Sequence, residues 1–213
     1  MFGKWFTKEE EKVRSLEHPR DLQVGDMLQM LDSFALPAAL KGQTLTVVAV
    51  NSYQYEHGDD YEFVLKGSHK SALFLTVEEE DGETSVNFSI KIQRGDVDAL
   101  FDLDQFAHIF EEGDLATITR QSDIDTFERW VTDTYTQTED PYTGYFYETD
   151  YRGQRISQYN EDDNGEMLTY YSLEDPSATF GIDIEVWEGG ETDVALSIYR
   201  PLSDITDLFP GKT

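Results

Sequence analysis

The sequence predicts a mainly β (α+β) protein of two tandem pseudo-repeat antiparallel β-sheet modules, meanders of barrel- or sandwich-like form, each closed by a short helix. Three observations predict it. Gly82-Glu-Thr-Ser-Val-Asn-Phe-Ser-Ile90 recurs 108 residues later as Gly190-Glu-Thr-Asp-Val-Ala-Leu-Ser-Ile198, and the register holds to Leu100/Leu208 and Phe101/Phe209. Nine of these twenty aligned positions are identical, far above what composition gives, so a duplicated module is expected. Between turn signals, short runs of branched and aromatic residues alternate with polar ones, the period of a half-covered strand. With 213 residues and no cysteine, the chain is long enough to bury a core without disulfides.

The expected organisation is an N-terminal segment over 1–20, a first module over 21–112 and a second over 113–213. In the N-terminal segment Phe2, Trp5, Phe6, Val13 and Leu16 share one helical face, and Lys4, Lys8 and Lys12 form a basic row. Such a face docks into a partner groove, lies at a membrane surface, or packs on its own protein. Glu9, Glu10 and Glu11 oppose the lipid reading.

In the first module Gln43–Tyr55, Tyr61–Leu65, Ala72–Val77 and Val86–Ile92 read as strands. Val86, Phe88, Ile90 and Ile92 form one apolar face. Asp96 and the Asp102/Gln105 capping box predict a closing helix that ends at Gly113. A helix is also expected over Ser122–Tyr135, from Ile124, Phe127, Trp130 and Val131 at helical spacing.

The second module repeats the order with Leu168–Leu173, Phe180–Trp187 and Val194–Ile198, and Ser203 or Asp204 caps a final helix through Ile205, Leu208 and Phe209. Its insertion, about 140–165, places Tyr145, Tyr147 and Tyr151 on one strand face. That row either stacks on a sugar or a protein partner, or belongs to a half-buried hairpin. Asn160–Glu166 resembles the front of a calcium loop, but Tyr171 stands where calcium needs a bidentate carboxylate. An Asn164-Gly165 hairpin turn reads the same residues.

The net charge of −28 falls outside residues 1–21, where five basic and five acidic side chains cancel. Such a body repels nucleic-acid phosphate and anionic lipid, and suits a protein partner with a basic surface. His18, His57, His69 and His108 lack metal-ligand spacing, and no nucleophile elbow, phosphate loop or dinucleotide fingerprint occurs. The expectation is therefore a non-enzymatic cytoplasmic adaptor with no cofactor and no metal, whose partner-binding residues are drawn from Tyr145, Tyr147, Tyr151, Phe2, Trp5 and Phe6. Membrane contact is expected only through the N-terminal segment, with no signal peptide and no integral membrane segment. A carbohydrate- or small-ligand-binding protein using the cleft between modules is the alternative. An acidic nucleic-acid mimic is a third.

Leu22-Gln-Val-Gly-Asp26, Tyr61-Glu-Phe-Val-Leu65, Ala72-Leu-Phe-Leu-Thr-Val-Glu78 and Tyr199-Arg-Pro-Leu-Ser-Asp204 together resemble the YjfK-like bacterial proteins of unknown function and the wider group of tandem small β-domain proteins. The resemblance spans most of 20–209. It implies fold rather than an active site. The usual genetic neighbours of that family, a phage-shock homologue and small membrane proteins, imply a link to envelope or membrane-stress assemblies.

Overall fold

A computed structural model describes residues 14–80, 82–111, 113–156 and 165–211. In chain order its strands begin with β1 (Met27–Met30), β2 (Thr44–Tyr55), β3 (Gly58–Lys66), β4 (Leu73–Glu80) and β5 (Glu83–Ile92). Helices α1 (Arg94–Leu100) and α2 (Leu103–Ala107) follow, then β6 (Thr117–Thr119), β7 (Thr134–Gln137) and β8 (Tyr142–Tyr147). The last four are β9 (Glu166–Glu174), β10 (Phe180–Trp187), β11 (Thr192–Pro201) and β12 (Ile205–Phe209).

Strands β2 to β5 form one antiparallel meander and β8 to β11 another. β5 pairs with β11 and β2 with β8, which closes an eight-stranded antiparallel barrel. The seam between β5 and β11 joins the two copies of the sequence repeat. Ser89 lies opposite Ser197, its counterpart 108 residues on, and Phe88 and Ile90 face Ile198 and Leu196. Equivalent strands therefore meet about a local dyad. The repeated Gly82 and Gly190 both adopt positive φ, 83° and 88°, in the turns that launch β5 and β11.

Every barrel strand has two faces, and both are covered. On the outer face Phe63, Leu65, Leu75, Phe88, Ile90, Ile184 and Leu196 are buried. They pack in one cluster with Leu22, Leu28, Leu40, Leu100, Phe101, Trp130 and Tyr135 from the segments before β2 and between β5 and β8. Those segments form an outer layer that keeps the barrel's apolar side from water. Asp26 ties this layer to the chain's last described residues. Its carboxylate pairs with Arg14 and accepts the Gln23 and Gly211 backbone N–H groups, both at 2.7 Å.

Two expected helices are not formed. Residues 205–209 make β12, which pairs with β1 through Leu28 opposite Leu208 and Gln29 opposite Asp207. The open edge of β1 offers those residues a ladder of backbone hydrogen bonds, and three apolar positions in five residues do not separate strand from helix. The 122–135 stretch holds one 3-10 turn, Asp125–Phe127, and then leads into β7. Arg129 at φ 66° ends helical geometry there, while Phe127 and Trp130 still reach the core. The span after β5 is helical as α1 and α2, with Asp102 accepting from the Asp104 and Gln105 amides. Of the Asn160–Glu166 run only Gly165 and Glu166 are described, so the calcium-loop and turn readings lie outside the described residues. Among the described residues no helix is long and apolar enough to cross a membrane.

Phe88 is fully buried at the seam between the two meanders. Phe88→Ala should lower the unfolding free energy by about 3–5 kcal/mol, read from denaturant midpoints. A loss below about 1 kcal/mol would mean that the seam is not part of the core.

Candidate functional site

Alternation sends the other side chain of each barrel strand inward. Tyr53 and Tyr55 from β2, Asp60 and Glu62 from β3, Thr76 from β4, and Asn87, Ser89 and Lys91 from β5 line half of the lumen. Tyr142 from β8, Tyr170 from β9, Asp183 and Glu185 from β10, and Asp193 and Ala195 from β11 line the rest. All eight strands contribute to this deep cavity of about 120 Å3. It is polar, acidic and ringed by tyrosine.

One end opens into a funnel of about 760 Å3. Phe74, Phe146, Met167 and Trp187 form its throat, with the Phe146 and Trp187 rings edge to face at 5.5 Å. Glu148, Glu166, Glu188 and Glu191 also line it, and Tyr53, Glu62, Lys91 and Asp193 belong to both funnel and deep cavity. At the opposite end Tyr55, Tyr142 and Tyr170 pack ring on ring, with His57 stacked on Tyr55 at 5.7 Å. Gly144 makes this packing possible, because a Cβ there would fall 2.3 Å from the Tyr55 ring.

The buried polar groups are organised around one ammonium. Lys91 Nζ lies 2.7 Å from Asp193 and 3.2 Å from Glu185, above the Phe74 and Trp187 rings. The Tyr53 hydroxyl donates to the other Glu185 oxygen at 2.7 Å. Tyr170 donates to Asp183 at 2.5 Å, and the Ser197 hydroxyl donates to its second oxygen. Burial pushes the phenols of Tyr53, Tyr55 and Tyr170 well above their ordinary range, so they act as neutral donors. Burial also pulls the Lys91 ammonium down, but Glu185 and Asp193 outweigh it and hold its pKa above the usual value.

Glu62 stands apart from this network. It is 9% exposed, accepts one bond from Asn51 Nδ2 at 2.8 Å, and forms no ion pair among the described residues. Burial first, and then the Glu185 and Asp183 charges, raise its pKa to about 7 against the pull of Asn51 and Lys91. Burial raises Asp60 and Asp183 as well. Asn87 Oδ1 is buried in the same cavity and accepts no hydrogen bond among the described residues. The lumen thus contains two acceptors whose capacity the protein leaves unused.

No family model, curated protein or solved structure matches this chain. The site is therefore read from its own residues.

Of the tyrosines singled out in sequence, Tyr147 is buried and its ring meets that of Tyr151 at 5.3 Å. Tyr145 is half-buried on β8, on the strand face away from the lumen. Their lumen-facing neighbours on β8 are Tyr142 and Phe146. Phe2, Trp5 and Phe6 lie outside the described residues. Sequence reading missed Tyr53, Glu62, Asn87, Lys91, Asp183 and Glu185. Their signal was present as the polar half of each alternating strand, but it reads equally as a solvated face.

Because folded Glu62 keeps its proton up to about 7 while its ordinary value is 4.5, the folded state binds more protons between those values. Stability from this group is complete below pH 4.5 and is lost as pH rises through 7. The loss by pH 8 is about 3 kcal/mol. Glu62→Gln keeps an acceptor for Asn51 and should raise stability by about that amount at pH 8 and hardly at pH 4.5. Parallel wild-type and variant curves of denaturation midpoint against pH would refute the assignment.

Proposed function

We propose that this chain is a non-enzymatic binding protein whose receptor site is the barrel lumen, entered through the acidic funnel. One observation carries the reading: a funnel of about 760 Å3 leads to a lumen lined by all eight barrel strands, where buried acceptors await a donor. Binding sites are concave, partly aromatic and furnished with a few convergent polar groups, and this cavity has each of those properties. The small-ligand alternative is thereby preferred to the adaptor.

The duplication belongs to the same proposal. Two copies of a four-strand meander, joined at Ser89 and Ser197, enclose a site that neither half encloses alone. Kinship with the YjfK-like proteins and a cytoplasmic location are proposed with it. A second reading, contact with a protein partner, is supported by Leu103, Phe110 and Leu115, which are exposed close together in sequence around α2.

Ala195 lines the deep cavity, and Ala195→Phe puts a ring into it. Melting temperature and Trp187 fluorescence, isolated from Trp5 and Trp130 by difference against Trp187→Phe, should be followed against spermidine, glucose and citrate as cationic, neutral and anionic probes. At least one probe is expected to raise the melting temperature of the native protein and to quench Trp187, with both effects lost in Ala195→Phe. Effects that survive in that variant, or no effect from any class, would overturn the lumen as receptor.

A further inference from the structure

We infer that the guest of the lumen is a linear oligoamine, an alkyl chain carrying two or more protonated amino groups. This rests on the lumen being the receptor and names what it receives.

The deep cavity has hydrogen-bonding capacity that the protein does not use. Glu62 and Asn87 Oδ1 are both acceptors, and both face the deep cavity. A primary ammonium is donor only and carries three N–H groups. A carboxylate guest would add acceptors where acceptors are already in excess. A neutral polyol would leave Glu62 protonated, whereas an ammonium beside it favours the carboxylate and gains the charge pairing.

The charge of the funnel is spread along its length. Glu62, Glu148, Glu166, Glu188, Glu191 and Asp193 line the funnel against one cation, Lys91, which Glu185 and Asp193 already engage. Among the described residues no three His, Asp or Glu side chains converge closely enough to hold a metal ion. A point charge therefore does not match the site. Carboxylates spread from mouth to floor match a cation whose charges are spread along a chain.

The Lys91 side chain is an alkylammonium, and it lies with its Nζ 5.5 Å from the centre of the Phe74 ring and 5.9 Å from Trp187, between two carboxylates. The lumen thus already holds one copy of the chemistry proposed for its guest. Phe146 and the free area of Trp187 extend that aromatic, cation-tolerant wall outward. An incoming chain lays its methylenes on this wall, sets its inner ammonium at Glu62 and leaves its outer one among the rim glutamates. The narrowing from funnel to deep cavity selects a thread over a branched or cyclic molecule.

Spermidine is the probe, titrated at low ionic strength by calorimetry with Trp187 quenching as a second readout. Glu62→Gln should weaken it about tenfold or more, since a charge-assisted bond is lost. Glu128→Gln removes the same charge from an exposed position outside the lumen and should leave the affinity unchanged. Equal weakening by both variants, or binding that persists in Ala195→Phe, would mean a diffuse ion cloud and overturn the inference. If glucose or citrate is bound in the lumen and spermidine is not, the inference fails while the receptor reading stands. If no probe enters the lumen, both fail. A pentalysine peptide that binds where spermidine does not would likewise overturn a free oligoamine.

Discussion

The ion pairs of Lys91 are the interaction on which the barrel depends. Closing eight amphipathic strands into a barrel whose apolar face is already covered from outside forces the polar faces to be buried too. Buried carboxylates are tolerated only when paired or hydrogen-bonded. Lys91 meets that demand for Glu185, pairs as well with the half-exposed Asp193, and so ties β5 to β10 and β11 across the seam. Tyr53 completes Glu185 from the far side of the barrel, and Tyr170 with Ser197 completes Asp183. Glu62, held by Asn51 alone, and Asn87 Oδ1, which has no partner among the described residues, stand outside these pairs. The interior therefore has a surplus of acceptors over donors.

The repeat explains how a modest chain encloses such a space. A four-strand meander presents two open edges, each a liability. Here the edges of one meander are closed by those of the other, β5 on β11 and β2 on β8. At one seam identical serines face each other, and at the other Gly144 lets Tyr55 cross into the lumen. Of the residues that face the lumen from β5 and β11, Ser89 and Ser197 are shared, whereas Asn87 corresponds to Ala195. Lys91 corresponds to Tyr199 under the repeat, so the cation is present once.

Seven of the eight barrel strands were legible because branched and aromatic residues alternate, as from Val86 to Ile92 and from Ile182 to Val186, whereas β8 was expected only as part of an insertion. The helical span after β5 was legible from the Asp102 cap. Residues 205–209 were not, because their state depends on an edge supplied by β1, far away in sequence. The 122–135 stretch misled because Phe127 and Trp130 do face the core, but from a turn and not from a helix. The lumen was hidden for a different reason. Period-two alternation shows that a strand's faces differ, yet not that the polar one is enclosed, since only barrel closure decides that. The tyrosines of β8 illustrate the cost: Tyr145 and Tyr147 were noticed, while Tyr142 and Phe146 are the ones that face the lumen.

Whether an acidic lumen is reachable from solvent through the funnel is directly testable, because the chain contains no cysteine. A single cysteine at Ala195 can be challenged with two small thiol reagents of equal size, one carrying an ammonium and the other a sulfonate. The account predicts reaction with both, with the cationic reagent faster by about tenfold or more, as field focusing in a charged cleft requires. Equal rates would contradict an acidic lumen, and protection from both reagents in the folded protein would contradict an open one.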